Sequence, residues 1–434
     1  MTSLLRRIVP VREGEVAPML LATAYGFAIF LGYYILRPVR DEISAADRGN
    51  LQVLWTAVFL VMLIAVPLYS MLVARYSRAR FIPIANRFFG FNLLLFFGAL
   101  YLLPESARLW IDRVFYVWTS VFALFVVTVF WGFIADLFRN EQARRLFGFI
   151  ALGSSLGGIV GSLVTAVLAE AVPVFALLLI AIAPLEVAAW LAGALHRHSA
   201  REITTLNREG PQRIGGTAWS GITTVFRSPY LRLIAGFLAL MTFASTILYF
   251  QQAFLLGNAF ADRALRTSIL ARMDLAVNVL TIGTQGFIAA HVIRRFGLGI
   301  TLAIVPAIAL LSFGTLGVYP LLAVLIVAQV LYRSFRYALA KPAREVLFTV
   351  VGREERYKSK AFIDAAVYRG GDLVSGWIYA GLAAAGLTVG GIALVSAPVA
   401  ALWVAMALTL GRREEAMRAE QEVGPSPGPA AATA

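Results

Sequence analysis

Apolar stretches of about 20 residues recur along this chain, near 17–36, 51–74, 81–103, 112–135, 146–169, 173–195, 230–256, 270–291, 298–318, 320–340, 361–385 and 388–410. A helix of that length matches the roughly 30 Å hydrocarbon core of a bilayer, where a helix satisfies every backbone N–H and C=O within itself. With 60% hydrophobic and 14% charged residues among 434, and a mean hydropathy of +0.78, no water-soluble class fits. The expectation is an all-α membrane protein with about twelve transmembrane helices. The first stretch follows Arg6, Arg7 and Arg12, like the charged start of a signal peptide. It runs on to Arg37 without a small-residue cleavage site, so it reads as an uncleaved first span.

The N-terminal tail, the even-numbered loops and the C-terminal tail hold most of the 38 Lys and Arg, which places both termini in the cytoplasm. The net charge of +14 is mainly this topological excess, and it carries no expectation of nucleic-acid binding. The chain has no cysteine, and its three histidines (His196, His198 and His291) sit at span ends, so neither a metal centre nor a cofactor is expected. No nucleophile, base and orienting group occur together, which argues against an enzyme.

The longest polar interruption, about 196–229, divides the spans six and six. The predicted organisation is a six-helix half (1–195), a cytoplasmic central loop (196–229), a second six-helix half (230–410) and a disordered cytoplasmic tail (411–434), the last rich in Pro and Ala. The halves echo one another. Arg75-Tyr76-Ser77-Arg78 is matched by Arg294-Arg295-Phe296-Gly297, Arg139 and Glu141 by Arg353 and Glu355, and Gly157-Gly158 by Gly370-Gly371. A six-plus-six pseudo-symmetric bundle with cytoplasmic termini is similar to the plan of the major facilitator superfamily. The run Gly153, Gly157, Gly161 lacks the Gly-Lys-Ser/Thr ending of a phosphate loop, and its four-residue spacing reads as a close helix–helix contact, a role that Gly376 and Gly381 also fit.

In that plan spans one, four, seven and ten line the transport path, and polar residues fall on them. Span one ends in Tyr34, Arg37, Arg40, Asp41 and Glu42, span four carries Asp136, span seven Gln251 and Gln252, and span ten Tyr332, Arg333 and Arg336, with Lys341 at its cytoplasmic mouth. An arginine inside a span costs roughly 2.5 to 3.5 kcal/mol on insertion scales, so it faces a partner or a water-filled site rather than lipid. Its planar fork suits phosphate or carboxylate. Two alternatives remain open on the residues alone: Arg336 can snorkel to the cytoplasmic surface, and Arg37 to Glu42 can be a self-paired outer loop. Gating or coupling candidates are Asp41, Asp136, Glu186, Asp274, Asp364, Arg369 and Asp372, with Arg369 and Asp372 spaced to share a helix face and Glu186 a carboxyl able to carry a coupling proton.

The segment Tyr34-Ile-Leu-Arg37-Pro-Val-Arg40-Asp41 resembles the first span of the ATP/ADP translocases of plastids and obligate intracellular bacteria. So do Tyr332-Arg333-Ser-Phe-Arg336-Tyr337, Lys341-Pro342-Ala-Arg344-Glu345, Lys358-Ser-Lys360-Ala-Phe-Ile-Asp364 and Arg369-Gly370-Gly371-Asp372 in the second half, and Trp131 to Gly161 in the first. The resemblance implies an antiporter of ATP and ADP, or of related phosphorylated anions, in a bacterial inner membrane, with Arg40, Arg333 and Arg336 on phosphates. Arg40 stands where those carriers have lysine, and span seven offers glutamines where they have charges. Substrate identity therefore stays open between nucleotide, another anionic metabolite taken up with protons, and lipid, with a non-transporting scaffold as the remaining class. Oligomeric state is not legible.

Overall fold

Long uninterrupted apolar segments have one low-energy form in a bilayer, and the computed structural model is helical wherever the chain is apolar. It describes residues 11–12, 14–76, 78–138, 140–203 and 220–423, so the middle of the central loop and the end of the tail lie outside the described residues. Twelve long helical segments are formed among the described residues. They are α1 (Val16–Ala46), α2 (Leu51–Arg75), α3 (Arg78–Leu102), α4 (Glu105–Leu137), α5 (Asn140–Leu168), α6 (Ala176–Ile203), α7 (Pro229–Ala259), α8 (Arg263–Phe287), α9 (Ala289–Val318), α10 (Leu322–Leu347), α11 (353–384) and α12 (Val389–Val423). Ten of them are long and apolar enough to cross a membrane. The other two, α8 and α11, carry in-span charge, including Arg272 and Asp274 on one and Arg369 and Asp372 on the other.

Three ends differ from the sequence expectation. Helix α1 continues past Pro38 to Ala46, so Arg37 to Glu42 form helix rather than an outer loop. Helix α6 runs on to Ile203 into the expected central loop, which also contains a short helix, Ser220–Arg227. Helix α12 continues to Val423, so 411–423 is ordered helix rather than disordered tail. No Gly or Pro interrupts it between Arg412 and Val423, buried Glu414 pairs with Arg418 at 2.7 Å, and Gln421 donates to the Val350 carbonyl at 3.0 Å.

The chain forms two compact units, one of residues 1–210 with 253–279, the other of 211–252 with 280–434. In the first, α1 packs against α4, α5 and α6, α3 against α6, and α2 against α4. The α1–α5 contact is set by glycine: a Cβ on Gly153, Gly157 or Gly161 would strike the carbonyl oxygens of Thr23, Phe27 and Leu31, one turn apart on each helix. In the second unit α9 packs along α12, and Trp403 is fully buried against Phe237 with ring centroids 5.5 Å apart. Gly376 there abuts the Phe250 ring, whereas Gly381 has open space around it and no packing role.

Two helices change pitch locally. Helix α10 contains a π-turn at Arg336–Ala340 and α11 another at Ile363–Val367. A π-turn lodges one extra residue and re-aims the side chains around it, and such turns concentrate at functional sites.

Because backbone carbonyls cannot yield, Gly157→Leu is expected to cost about 1 to 3 kcal/mol or prevent folding. Gly148→Leu on the same helix meets no atom within 4 Å and should melt like the native protein. Thermal unfolding in detergent compares the two; equal melting temperatures would remove the close contact from the account.

Candidate functional site

Within the first unit, the last turns of α1 gather five of the residues nominated from sequence. Arg37 Nη1 lies 3.1 Å from Asp274 Oδ1 on α8, and its Nε lies 3.7 Å from Asp41. Its guanidinium sits 5.7 Å from the Tyr34 ring centroid. Arg40 donates to Asp41 at 3.1 Å and to the Tyr116 hydroxyl at 3.2 Å, and stacks 4.4 Å over the Tyr116 ring. Trp55 donates to the same hydroxyl at 2.9 Å. Asp41 and Asp274 are buried.

One turn further along α1 is a network that the sequence reading did not assemble. Glu42, with no exposed surface, takes Arg263 at 2.9 Å and Arg266 through a shorter contact, both from α8. Arg263 also reaches Asp112 on α4 at 2.9 Å, and Arg113 pairs with Asp47 at 2.7 Å. Arg266 donates in addition to the carbonyls of Phe260 and Ala261, each at 2.9 Å. These pairs fix segment 263–274, which follows the central loop in the chain, to α1 and α4 at the end where the odd-numbered connections lie. A signal was present, since Arg113, Arg263 and Arg266 sit on the arginine-poor side and so each called for a partner.

Asp136 is exposed near the opposite end of α4. Glu186 lies apart from the other candidates, held by Arg87 of α3 through bonds of 2.8 and 2.9 Å. Glu15, just ahead of α1, receives Arg145 at 2.8 and 3.1 Å, Gln142 at 3.1 Å and the Arg12 backbone N–H at 2.9 Å. Burial pushes its carboxyl up, but the Arg145 guanidinium and these donors outweigh it and take the pKa from 4.5 down to about 2.

In the second unit the nominated residues divide. Arg336, half-buried at the start of the α10 π-turn, donates to Ser245 Oγ at 2.6 Å and to the Tyr368 hydroxyl at 2.7 Å. Its guanidinium also lies 5.5 Å from the Tyr337 ring centroid. Asp372 is near enough to act on it electrostatically, yet among the described residues no carboxylate pairs with it within 4 Å. Arg333 is buried one turn before it, and Tyr332 donates to the Met241 carbonyl at 3.0 Å. Gln251, fully buried, donates to the Val389 carbonyl at 3.1 Å, and Gln252 is buried beside it in sequence. Lys341 is exposed; Asp364 meets Arg344 at 3.6 Å; Arg369 and Asp372 are half-buried on α11. Ser245 and Tyr368, absent from the sequence-based set, come in through the two hydrogen bonds to Arg336.

A profile described as TLC ATP/ADP transporter matches residues 98–413. The chain belongs to the TLC ATP/ADP transporter family. Its similarity to the chloroplastic ADP,ATP carrier protein 1 of Arabidopsis thaliana is 21% identity over 92% of this chain and 74% of the relative. For the ADP,ATP carrier protein 1 of Chlamydia trachomatis it is 22% over 73% and 67%. Among solved structures it shares the fold of the nucleoside transporter NupG (TM-score 0.59, 12% identity, covering 92% of this chain and 99% of that one). It also shares that of the POT family transporter PepTSo (TM-score 0.61, 12%, 94% and 99%). This chain is thus a multi-pass membrane protein with a major-facilitator-like fold, and its matched region takes in Arg333 and Arg336 while α1 precedes it.

The chain has no cysteine, so Ser268→Cys, at a fully buried site on α8, supplies a single thiol. Adding Glu42→Gln weakens the hold on Arg263 and Arg266 and should raise maleimide labelling several-fold; unchanged labelling would show that Glu42 does not hold the segment. Glu15 is the pH-sensitive contact. Its depressed pKa contributes stability above about pH 4.5 that is lost as pH falls toward 2. Between pH 5 and pH 3 the native protein should therefore lose more melting temperature than Glu15→Gln.

Proposed function

We propose that this protein exchanges ATP and ADP, or closely related phosphorylated anions, across a bacterial inner membrane by alternating access, without chemistry on the substrate and with both termini cytoplasmic. The observation that carries the reading is Arg336. Membership of the TLC ATP/ADP transporter family sets the substrate class, and Arg336 keeps a positive charge inside a span with two neutral hydroxyl partners. A guanidinium so held is pre-oriented for a phosphate, which would replace or extend those hydrogen bonds with charge-assisted ones. Arg333 and Lys341 add cationic groups along the same helix. The halves 1–195 and 230–410 then carry the substrate by alternating access about this site.

Arg37 and Arg40 have a second role in this reading. Both contact Asp41, and Arg37 contacts Asp274, so these arginines of α1 belong to the ion pairs that hold α8. A phosphate drawn to these arginines would compete with Asp41 and Asp274 and loosen that hold. Substrate binding would thereby favour the state in which the pairs are broken, as coupling of binding to exchange requires.

The test is exchange in liposomes loaded with ADP and supplied with labelled ATP. Arg336→Ala removes a charge-assisted contact of roughly 1.5 to 3 kcal/mol, so half-saturation should rise about tenfold to a hundredfold, or uptake should vanish. Arg336→Lys, which keeps charge but not the fork, should fall between. Uptake that needs a pH gradient and no internal nucleotide would replace exchange by proton-coupled transport. No uptake by folded protein would move the substrate to other anions, a possibility that Gln251, already bonded to Val389, makes concrete.

A further inference from the structure

Arg87 and Glu186 form an ion pair in an unexpected place. Helix α3 starts at Arg78, so Arg87 lies about 13 Å along it at 1.5 Å per residue. Glu186 lies about 15 Å from the start of α6 at Ala176, near the middle of its span, and Arg87 lies about 9 Å inside the apolar part of α3, which begins at Phe81. The pair is not inside the protein. Their side chains are 61% and 53% exposed, on stripes of large apolar residues that face outward: Ile84, Phe88 and Phe91 on α3, Val187 and Trp190 on α6.

Lipid alone is a poor cover for this site. The bond is bidentate, with Nε and Nη2 of Arg87 both reaching Glu186 Oε1, at 2.9 and 2.8 Å, and Nε also 3.3 Å from Oε2. Arg87 Nη1 makes no further contact among the described residues, so donors and carboxylate lone pairs face outward where acyl chains offer nothing in return.

We propose that the α3–α6 face is a homodimer interface, closed by Arg87 and Glu186 pairing with their counterparts on a second copy of this chain. The argument for a second copy is charge complementarity. The patch holds one cation and one anion side by side at the same depth. Rotation by 180° about the membrane normal brings Arg87 of one copy opposite Glu186 of the other and closes a ring of four charges. Any other occupant would have to supply both charges in matching order, whereas a second copy does so by symmetry. The flanking aromatic residues then pack across the two-fold axis, and polar groups within a membrane favour such association.

The experiment is single-molecule counting of labelled full-length chains in liposomes over a range of protein-to-lipid ratios, with cysteine cross-linking in the cysteine-free background. The native chain should be captured as dimers, and Trp190→Cys should cross-link into dimers with a short bis-maleimide while Leu402→Cys, exposed on α12, should not. Arg87→Leu with Glu186→Leu should weaken association about tenfold. The charge swap Arg87→Glu with Glu186→Arg should self-associate like the native chain yet fail to mix with it, because native and swapped copies set like charges opposite each other. Thermal stability of each variant separates loss of pairing from loss of folding, and the cysteine and swap readouts stand if the double leucine variant does not fold. Monomers at every density, cross-linking through α12 instead of Trp190, or free mixing of native and swapped chains would each overturn the proposal and leave the face to lipid or another protein's helix.

Discussion

A charge inside a bilayer must be paired, hydrated or used, and the arrangement of this chain's arginines follows from that constraint. On the arginine-poor side, Arg37, Arg40, Arg113, Arg263 and Arg266 each contact a carboxylate. Arg336 differs: its guanidinium is directed to Ser245 and Tyr368, which stabilise its position and, among the described residues, leave its charge without a direct ion pair. Two classes of arginine thus coexist, one that holds helices to each other and one that remains electrostatically available for an anion.

The glycine contact explains how the first class is positioned. With Gly153, Gly157 and Gly161 against Thr23, Phe27 and Leu31, α5 and α1 approach to backbone distance and the register of α1 is fixed over two turns. Fixing α1 fixes the heights of Arg37, Arg40 and Glu42 on its final turns. Those heights meet Asp274, Asp41 and Arg266, so the ion network depends on a packing feature that lies about two to five turns away along the same helix.

Hydropathy made the twelve helices legible, because each is a long apolar run with one stable form in lipid, and the glycine contact was legible from its four-residue spacing. The cationic residues of α1 and α10 were also visible, since charge stands out in an apolar run. What was hidden lies in pairings distant in sequence: nothing local in Glu42 points to Arg263 or Arg266, more than 200 residues on, and nothing in Glu186 points to Arg87. The π-turns were hidden too, since an extra residue leaves the hydrophobic pattern nearly unchanged. Gln251 stands out in sequence as a polar residue of span seven, but its hydrogen bond to the Val389 carbonyl depends on helix rotation and was not legible. The α12 extension was masked by a charged composition that suits a solvated helix as well as a coil.

A network of buried ion pairs has strong internal attractions, but its net stability is modest. Desolvating a carboxylate and a guanidinium costs several kcal/mol per ion, which offsets most of their attraction, so a buried pair is often worth no more than apolar residues of the same size. Losing one partner while the other stays buried is costly, about 3 to 5 kcal/mol, because the remaining charge is stranded. Glu42 shares Arg263 and Arg266, and Arg263 shares Asp112, so no member can leave alone cheaply. Were segment 263–274 to leave as a whole, every member would regain water at once and the hydration returned would offset the attraction lost. The network therefore opposes partial opening more than complete opening. That is the behaviour an exchanger needs, since a half-open state leaks and two well-separated states do not.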